Sequence, residues 1–321
     1  MAHLGTPMAV RVAATLRVAD HLARQPLTAA DLAGAVGADA GALERLLDHL
    51  VTKGVLSRDE DGRYALTSLG EPLRDGHPSG IRDALDIEGA VGRAELAFVQ
   101  LLHSVRTGRA GFPEQFGTSF WEDLEADPER AASFAARMGA DLRIRAEGIV
   151  GGFDWGSLGH VVDVGGGDGS LLIALLAEHP RLRGTVVDLP DTAAIARRSL
   201  EAAGLADRTD VVPGSFFDPL PAGAGGYLLS SVLHDWDDAS AKAILARCAE
   251  AAGRGGSVFV VERIGRDGRP LHTAMDLRML VYYGGKERGV GEIGTLAADC
   301  GLAVRAVHPA GALSIVELTA R

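Results

Sequence analysis

The spacing of apolar positions predicts that the chain begins with helices and a hairpin. Over residues 8–23, apolar side chains recur at intervals of three and four, which predicts one helix with a single buried face. Thr28 followed by Asp31 is a capping signal for a short helix, and residues 43–50 carry the leucine stripe of the next. Residues 55–66 then alternate around a polar tip, as in a β-hairpin. Together these elements predict a winged-helix unit.

Residues 80–150 also carry a helical pattern, with a glycine-rich break at 107–111 and a new helix beginning at Asp127-Pro128. Large apolar side chains cluster in this region, although the chain is only 5% aromatic. Core packing is the commoner explanation for such a cluster, but an aromatic-lined substrate pocket would use the same residues. The cluster consists of Phe112, Phe116, Phe120, Trp121, Phe134 and Met138.

After Gly151-Gly152, short apolar strands alternate with helices. Strands are predicted near 161–164, 184–188, 210–212, 226–230 and 257–261, helices at 170–176, 191–203 and 239–252, and a closing pair of strands at 302–308 and 313–318. This alternation predicts a doubly wound parallel sheet that binds ligands at the carboxyl ends of its strands.

The turn after the first of these strands is rich in glycine. Asp163 is followed by Gly165, Gly167 and Gly169, and glycines there let the backbone pass close to a ligand at the start of a helix. The D-x-G-x-G-x-G order resembles motif I of S-adenosylmethionine (SAM) dependent methyltransferases more than the G-x-G-x-x-G of dinucleotide sites. Asp188, at the end of the next strand, suits the ribose hydroxyls of either cofactor.

Composition narrows the classes of partner. The chain has 321 residues, is 47% hydrophobic and 23% charged, and carries a net charge of −11, as expected for a soluble two-domain protein and not for one that binds a polyanion. We expect Cys248 and Cys300 to be buried reduced thiols. Without an apolar run long enough for a leader or a membrane span, a cytoplasmic location is expected.

A winged helix raises the question of DNA binding. The helix predicted over residues 40–54 would lie in the major groove of DNA. The exposed positions of residues 39–54 carry three carboxylates and two cations, too little positive charge to neutralise several phosphates. The unit is therefore interpreted as a packing or dimerisation module.

Three residues at the predicted strand ends have the chemistry of a catalytic site. His234 follows the fourth strand of the sheet, Glu262 ends the fifth, and Glu287 lies in a glycine-loosened loop. Either glutamate could accept a hydrogen bond from the histidine Nδ1–H and so fix its tautomer. Asp237 and Asp238 are better interpreted as the start of the following helix than as metal ligands.

The whole chain resembles the caffeic acid type of SAM-dependent O-methyltransferases and their bacterial natural-product relatives. The matching motifs are G-T-S-F-W at 117–121, V-D-V-G-G-G-D-G at 162–169, D-L-P at 188–190, G-S-F-F at 214–217, L-H-D-W at 233–236, V-E at 261–262 and G-G-K-E-R at 284–288. The resemblance implies an α/β fold: a Rossmann-like SAM-binding catalytic domain at 151–321, an all-helical winged-helix dimerisation domain at 1–90 whose wing is the hairpin, and a helical linker at 91–150 that contributes to the acceptor pocket.

The resemblance also implies roles for individual residues. His234 would be the general base, flanked by Glu262 and Glu287. SAM, which leaves as S-adenosylhomocysteine (SAH), would contact Asp163, Gly165, Gly167, Asp188, Leu189, Ser215, Phe216, Ser230 and Trp236. The acceptor would contact Trp121, Phe134, Met138, Asp141, Met279 and Tyr283. No metal is expected, and the partners would be a small aromatic acceptor and a second copy of the chain, with no nucleic acid or membrane.

Three residues depart from the family pattern. Ser215 stands where many relatives have aspartate, Ser230 replaces a lysine of plant members, and Asp141 replaces a histidine that lines the plant acceptor pocket. A plant acceptor therefore does not follow from the resemblance. Our leading hypothesis is methylation of a phenolic hydroxyl on an aromatic, polyketide-like metabolite. Two alternatives stay open: a family member that uses bound SAM in hydroxylation or decarboxylation, and a winged-helix regulator that senses SAM.

Overall fold

The computed structural model describes residues 3–265 and 272–321. The chain divides into two compact units. The first contains Met1–Leu96 and Leu124–Arg137, and the second contains Ala97–Asp123 and Met138–Arg321. The functional division of the chain at residues 90 and 150 stays a prediction.

The elements up to residue 96 are short helices and one hairpin. They are α1 (Gly5–Thr15), α2 (Val18–Leu22), α3 (Ala29–Val36), α4 (Ala40–Thr52), β1 (Leu56–Arg58), β2 (Tyr64–Leu66), a 3-10 turn (Glu71–Leu73), α5 (Ile81–Leu85) and α6 (Ala90–Leu96). β1 and β2 pair antiparallel, so the predicted hairpin is confirmed. Thr28 and Asp39 cap α3 and α4 by accepting hydrogen bonds from backbone N–H groups. Leu32, Leu47 and Tyr64 are fully buried in the core of this unit.

The single helix predicted over residues 8–23 is wrong. Arg17 adopts a left-handed conformation with φ of 51°, which separates α1 from α2. The apolar spacing does not reveal this break, because Val18 and Leu22 beyond it are buried in the same core as Ala13 before it.

The remaining elements alternate helices with the strands of a second sheet. They are a 3-10 turn (Ala97–Gln100), α7 (Leu101–Thr107), α8 (Phe112–Phe116), α9 (Phe120–Glu125), α10 (Pro128–Gly151), a 3-10 turn (Trp155–Leu158), β3 (His160–Val164), α11 (Ser170–Glu178), β4 (Arg183–Asp188), α12 (Pro190–Ala202), a 3-10 turn (Ala206–Arg208), β5 (Thr209–Pro213), β6 (Gly226–Ser230), a 3-10 turn (Leu233–Asp235), α13 (Asp238–Ala252), β7 (Ser257–Glu262), α14 (Thr273–Tyr283), α15 (Val290–Asp299), β8 (Leu302–Ala310) and β9 (Leu313–Ala320).

The sheet of the second unit has the strand order β5-β4-β3-β6-β7-β9-β8. The five strands from β5 to β7 are parallel, as predicted, whereas β9 runs antiparallel to both β7 and β8, so the whole sheet is mixed. Successive strands move outward in opposite directions from β3 and β6. The carboxyl ends of β3 and β6 therefore border the crevice where sheets of this type bind ligands.

Helices cover both faces of this sheet, and the strands are accordingly apolar on both sides. Leu229 and Val260 pack into one core cluster, while Leu228 and Phe259 pack into the cluster on the opposite face. Cys248 is buried as expected, but Cys300, at the end of α15, is partly exposed, so the prediction of two buried thiols is wrong for this residue. No helix among the described residues is both long enough and apolar enough to cross a membrane.

Candidate active site

The glycine turn between β3 and α11 is fastened to the end of β4. The Gly167 N–H donates to Oδ2 of Asp188 at 2.8 Å, and the Leu189 N–H donates to Oδ1 of the same carboxylate at 2.8 Å. Burial raises the pKa of Asp188 to about 6, and the two backbone hydrogen bonds act in the opposite direction. Asp188 thus fixes the position of the glycine turn relative to the start of α12 at the rim of the crevice.

Two glycines of this turn need their small size or left-handed backbone. Gly165 and Gly167 have φ values of 72° and 60°. A β-carbon at Gly165 would lie 3.0 Å from Cγ2 of Val232 and 3.4 Å from Cε1 of Phe216. The structure therefore brings the glycine turn, the loop after β5 and the loop after β6 together at one edge of the sheet.

Two buried polar atoms in the strands that border the crevice have no protein partner. Asp163 of β3 is 1% exposed, and its Oδ2 accepts no hydrogen bond from the described residues; the same holds for Oγ of Ser230, the last residue of β6. Burial, followed by the charges of Asp188 and Asp168, raises the pKa of Asp163 to about 7. Unsatisfied polar atoms in this place fit a ligand that carries polar groups.

His234 lies in the 3-10 turn after β6, between two glutamates that make different contacts. Its ring Nδ1 lies 3.1 Å from Oε1 of Glu287, whereas its backbone N–H donates to Oε1 of Glu262 at 3.1 Å. Because an ionised carboxylate can only accept, Nδ1 is the protonated nitrogen, and Nε2 of the neutral ring is available as a base. Glu287 therefore orients the ring, and Glu262 fixes the backbone that carries it.

Three carboxylates set the proton affinity of His234. Burial is the largest single influence and opposes protonation, but the charges of Asp235, Glu262 and Glu287 outweigh it and raise the pKa of His234 to about 10. For the carboxyl groups burial acts in the other direction: it raises the pKa of Asp235 to about 7 and the pKa of Glu262 above its usual range. The three carboxylates therefore stabilise the protonated ring and make the neutral ring a strong base.

Sequence reasoning assigned no role to two residues of this cluster. Oδ1 of Asp235 lies 3.5 Å from Nε2 of His234, and Arg288, which is 1% exposed, donates hydrogen bonds to the backbone on both sides of the histidine. The sequence signal for Asp235 is its position next to His234 in the L-H-D-W motif. Arg288 gave no signal beyond its place in the G-G-K-E-R motif, because arginine is ordinarily an exposed residue.

Aromatic rings pack close to this loop. Trp121 stacks on Tyr283 with ring centroids 5.2 Å apart and on Trp236 at 6.0 Å. Trp236 also meets Phe217 edge-on at 4.9 Å and Phe216 at 5.8 Å. Trp236, predicted for the cofactor, therefore connects the rings near the glycine turn with rings predicted for the acceptor. Desolvation, then the charge of Asp235, raises the pKa of Tyr283 well above its usual value.

The other predicted acceptor residues lie in different surroundings. Met279 of α14 is buried, whereas Met138 is 39% exposed and Asp141 is partly buried on α10. A β-carbon at Gly139 would lie 2.3 Å from Oδ2 of Asp168, so this part of α10 packs directly on the glycine turn. Phe134 belongs to the first unit, and its role stays a prediction.

Ser215, predicted to contact SAM, lies in the loop after β5. Its Oγ accepts a hydrogen bond from the Phe217 N–H at 3.2 Å. The hydroxyl thus stabilises its own loop, and a contact with SAM stays a prediction. Within the parts of the chain that the structure covers, no cluster of histidine, cysteine, aspartate and glutamate is arranged to hold a metal ion.

Known families match both parts of the chain. The O-methyltransferase domain family matches residues 98–303, and the O-methyltransferase dimerisation domain matches residues 1–74. The chain belongs to the O-methyltransferase family. The predicted resemblance to SAM-dependent O-methyltransferases and the predicted Rossmann-like fold are confirmed, and the protein is a SAM-dependent O-methyltransferase.

Relatives from Streptomyces cover the whole chain. The 2,7-dihydroxy-5-methyl-1-naphthoate 7-O-methyltransferase of Streptomyces carzinostaticus is 59% identical over 320 residues, covering 100% of this chain and 96% of the relative. Aclacinomycin 10-hydroxylase RdmB of Streptomyces purpurascens is 44% identical, covering 100% and 89%. The crystal structure of the O-methyltransferase NcsB1 from neocarzinostatin biosynthesis, in complex with SAM and 2-hydroxy-5-methyl naphthoic acid, has a TM-score of 0.95 at 59% identity, covering 100% and 97%.

The two glutamates can be distinguished by the pH dependence of turnover. Turnover should rise with pH as His234 loses its proton, with the rise centred above the ordinary histidine pKa. Glu287→Gln removes a charge that raises this pKa, so its rise should occur at lower pH, and its plateau at high pH should fall about tenfold or more because the protonated ring is less stabilised. Glu262→Gln removes the same charge but contacts only the backbone, so it should lose less of the plateau. Equal plateau losses would contradict the assignment.

The buried carboxylate of Asp163 should lower the folding stability of the cofactor-free protein and raise its affinity for the cofactor. Its pKa is raised on folding, so it costs stability as pH rises from the unfolded value through about 7. Asp163→Asn should therefore raise the melting temperature relative to wild type more at pH 8 than at pH 5, and should weaken SAH binding by about tenfold in calorimetry. Asp207→Asn, at an exposed carboxylate, should change neither quantity. Unchanged SAH affinity in Asp163→Asn would remove this residue from the cofactor site.

Proposed function

We propose that this enzyme methylates a phenolic hydroxyl of a hydroxynaphthoate-type aromatic acid, with His234 as the general base. The observation that carries the proposal is the contact of the His234 ring with buried Glu287, in a loop whose Trp236 stacks on Trp121. The naphthoate O-methyltransferase relative, 59% identical over the full chain, supports the acceptor class.

The crevice residues fit SAM. The unsatisfied atoms of Asp163 and Ser230 and the remaining acceptor capacity of the Asp188 carboxylate provide partners for a ligand with amino and hydroxyl groups, and the space beside Gly167 leaves room for it. Phe216, together with Leu189, Gly165, Ser215 and Trp236, would complete the cofactor site. SAM supplies a methyl group made electrophilic by a positively charged sulfur.

His234 would act on the acceptor hydroxyl. A phenol with a pKa of about 10 is mostly neutral at pH 7 and is a poor nucleophile. As the oxygen–methyl bond forms and the sulfur–methyl bond breaks, the hydroxyl proton moves to Nε2, and SAH and the methyl ether result. The carboxylate of Glu287 stabilises the ring that has gained the proton, and a base placed in this way contributes about a hundredfold or more.

The raised pKa of His234 is compatible with this role when the donor is bound. A cation at the same edge of the sheet disfavours a second positive charge on the ring, because like charges repel. The carboxylates keep the neutral ring strongly basic, and the donor's charge favours that neutral form. We infer that SAM binding prepares the base.

The acceptor would lie against the aromatic side chains. Trp121, Tyr283 and Met279 offer flat or adaptable apolar surface for a fused ring system, and Met138 and Asp141 are proposed to complete its pocket. Holding acceptor oxygen, methyl carbon and sulfur in line would supply much of the remaining acceleration.

We further infer that the enzyme is a cytoplasmic homodimer of secondary metabolism. The match of residues 1–74 to a dimerisation domain supports assembly through the N-terminal region. The solved relative from neocarzinostatin biosynthesis supports a place in the production of an antibiotic-like natural product.

Incubation with methyl-labelled SAM and a panel of hydroxynaphthoates, larger aromatic polyketides and phenolic amino acids tests the acceptor class. We expect a labelled methyl ether of a hydroxynaphthoate, with one SAH released for each product formed. One relative is a hydroxylase, so the products are also examined for hydroxylation. A hydroxylated product without SAH release would overturn methyl transfer. Methylation of phenolic amino acids alone would overturn the naphthoate assignment.

Removal of the base should separate chemistry from binding. His234→Gln should reduce methyl transfer by about a hundredfold or more, since Gln cannot take up the proton, while SAH affinity measured by calorimetry stays within about twofold of wild type. His77→Gln, at a partly exposed histidine of the first unit, serves as the control. Full turnover by His234→Gln would mean that another group accepts the proton.

A further inference from the structure

The loop that carries His234 starts in a backbone conformation that a non-glycine residue rarely adopts. Ser231, directly after β6, has φ of 55°, in the left-handed region. Such a conformation persists only where surrounding contacts impose it. The Ser231 N–H donates to the carbonyl of Val261 at 2.9 Å, which fixes one end of the loop. Further along the loop, the His234 N–H donates to Glu262, and Arg288 binds carbonyls on either side of the histidine.

The guanidinium of Arg288 uses all three of its nitrogens on this loop and on the first residue of α13. Nη1 donates to the carbonyl of Leu233 at 2.7 Å, and Nη2 donates to the carbonyl of Trp236 at 2.7 Å. Nε and Nη2 also donate to Oδ1 of Asp238, at 3.1 and 2.8 Å. These contacts lie on both sides of His234 in the chain, and the arginine side chain is 1% exposed.

We propose that Arg288 is a positioning residue for methyl transfer: it holds the backbone on both sides of His234, so that the imidazole meets Glu287 and the Trp236 indole meets Trp121. The proposal rests on the proposed role of His234 as the base. Arg288 touches neither reacting group and acts through the loop. The planar guanidinium suits this task because its fixed fork reaches two carbonyls and a carboxylate at once.

The place of Arg288 in the chain couples two supports of the histidine. Its neighbour Glu287 holds the imidazole ring, so consecutive residues fix the ring and the backbone of the same histidine. The Glu287 N–H donates to Oδ1 of Asp276 on α14 at 2.9 Å, which anchors this pair. A β-carbon at Gly285 would lie 2.1 Å from the carbonyl oxygen of His234, so the two loops are in backbone contact.

The charged and titratable groups around the ring allow position and charge to be tested separately. Asp235 lies on the same loop, Glu262 on β7, and Glu287 and Arg288 precede α15, while Tyr283 of α14 is near Asp235. Arg288→Lys keeps the positive charge but replaces the fork with a single ammonium group. A change in the proton affinity of His234 in this variant therefore reports a change in geometry.

The decisive measurement is the titration of His234 in protein with ¹³C-labelled histidine, followed by NMR; the resonance absent from His234→Gln identifies it. In Arg288→Lys the ring should move away from Glu287, so it should titrate at lower pH than in wild type. Turnover should fall about tenfold or more, because small misplacements of a reacting group are costly, with less change in the KM for the acceptor. SAH affinity should stay within about twofold, since the glycine turn is untouched.

Arg208→Lys is the matched control. Arg208 also donates to several backbone carbonyls, those of Leu176, His179, Pro180 and Leu182. None of these carbonyls belongs to the His234 loop. This variant should lower the melting temperature without moving the His234 titration. Asp238→Asn, at a carboxylate 59% exposed, keeps Arg288 but weakens its support, and should shift the titration in the same direction by less.

A wild-type His234 titration in both Arg288→Lys and Asp238→Asn would overturn the proposal, even if both variants melted at lower temperature. The titration needs no turnover. If His234→Gln kept full activity while Arg288→Lys still shifted the resonance, the base assignment would fail and the positioning of the ring by Arg288 would stand.

Discussion

The hydrogen bond between Nδ1 of His234 and Oε1 of Glu287 is the interaction on which the rest of the site depends. The Glu287 side chain is 1% exposed, and within the described residues its Oε2 has no hydrogen-bond partner. A carboxylate in such surroundings costs several kcal/mol unless a charged partner offsets the cost. The stability of this loop is thus tied to a protonated histidine, which is the state that the proposed proton transfer would produce.

The sheet topology places the glycine turn and the His234 loop at one edge. Strands β3 and β6 are neighbours but lead outward in opposite directions, so the glycine turn after β3 and the His234 loop after β6 flank the same crevice. Asp163 in β3 carries the same kind of cost as Glu287, because each has a buried carboxylate oxygen with no hydrogen-bond partner among the described residues. Both costs fall on residues that the proposed reaction needs, as expected where function limits stability.

Sequence patterns predicted the features that depend on local order along the chain. Strand and helix alternation, the glycine turn and the strand-end positions of His234 and Glu262 follow from residue periodicity and from turn chemistry. Sequence patterns did not predict the helix break at Arg17, the antiparallel direction of β9 or the hydrogen bonds from Arg288 to the His234 loop. These features depend on contacts between distant residues; Arg288 lies 55 positions from Leu233, whose carbonyl it binds. For the same reason the sequence could not show which glutamate binds the imidazole ring, since this depends on the tertiary structure.

The charges of the site couple cofactor binding to the protonation of His234. Three carboxylates favour a proton on the ring, and a positively charged donor at the same edge of the sheet opposes it. By linkage, whatever favours the neutral ring also favours the cationic donor, to the same extent. The product SAH carries no sulfonium charge, so this repulsion ends once the methyl group has moved and the ring has gained its proton. With SAM bound, the charge of the donor would thus favour the neutral ring, and with SAH bound the carboxylates would favour the protonated ring. These are the two states that one turnover of the proposed reaction connects.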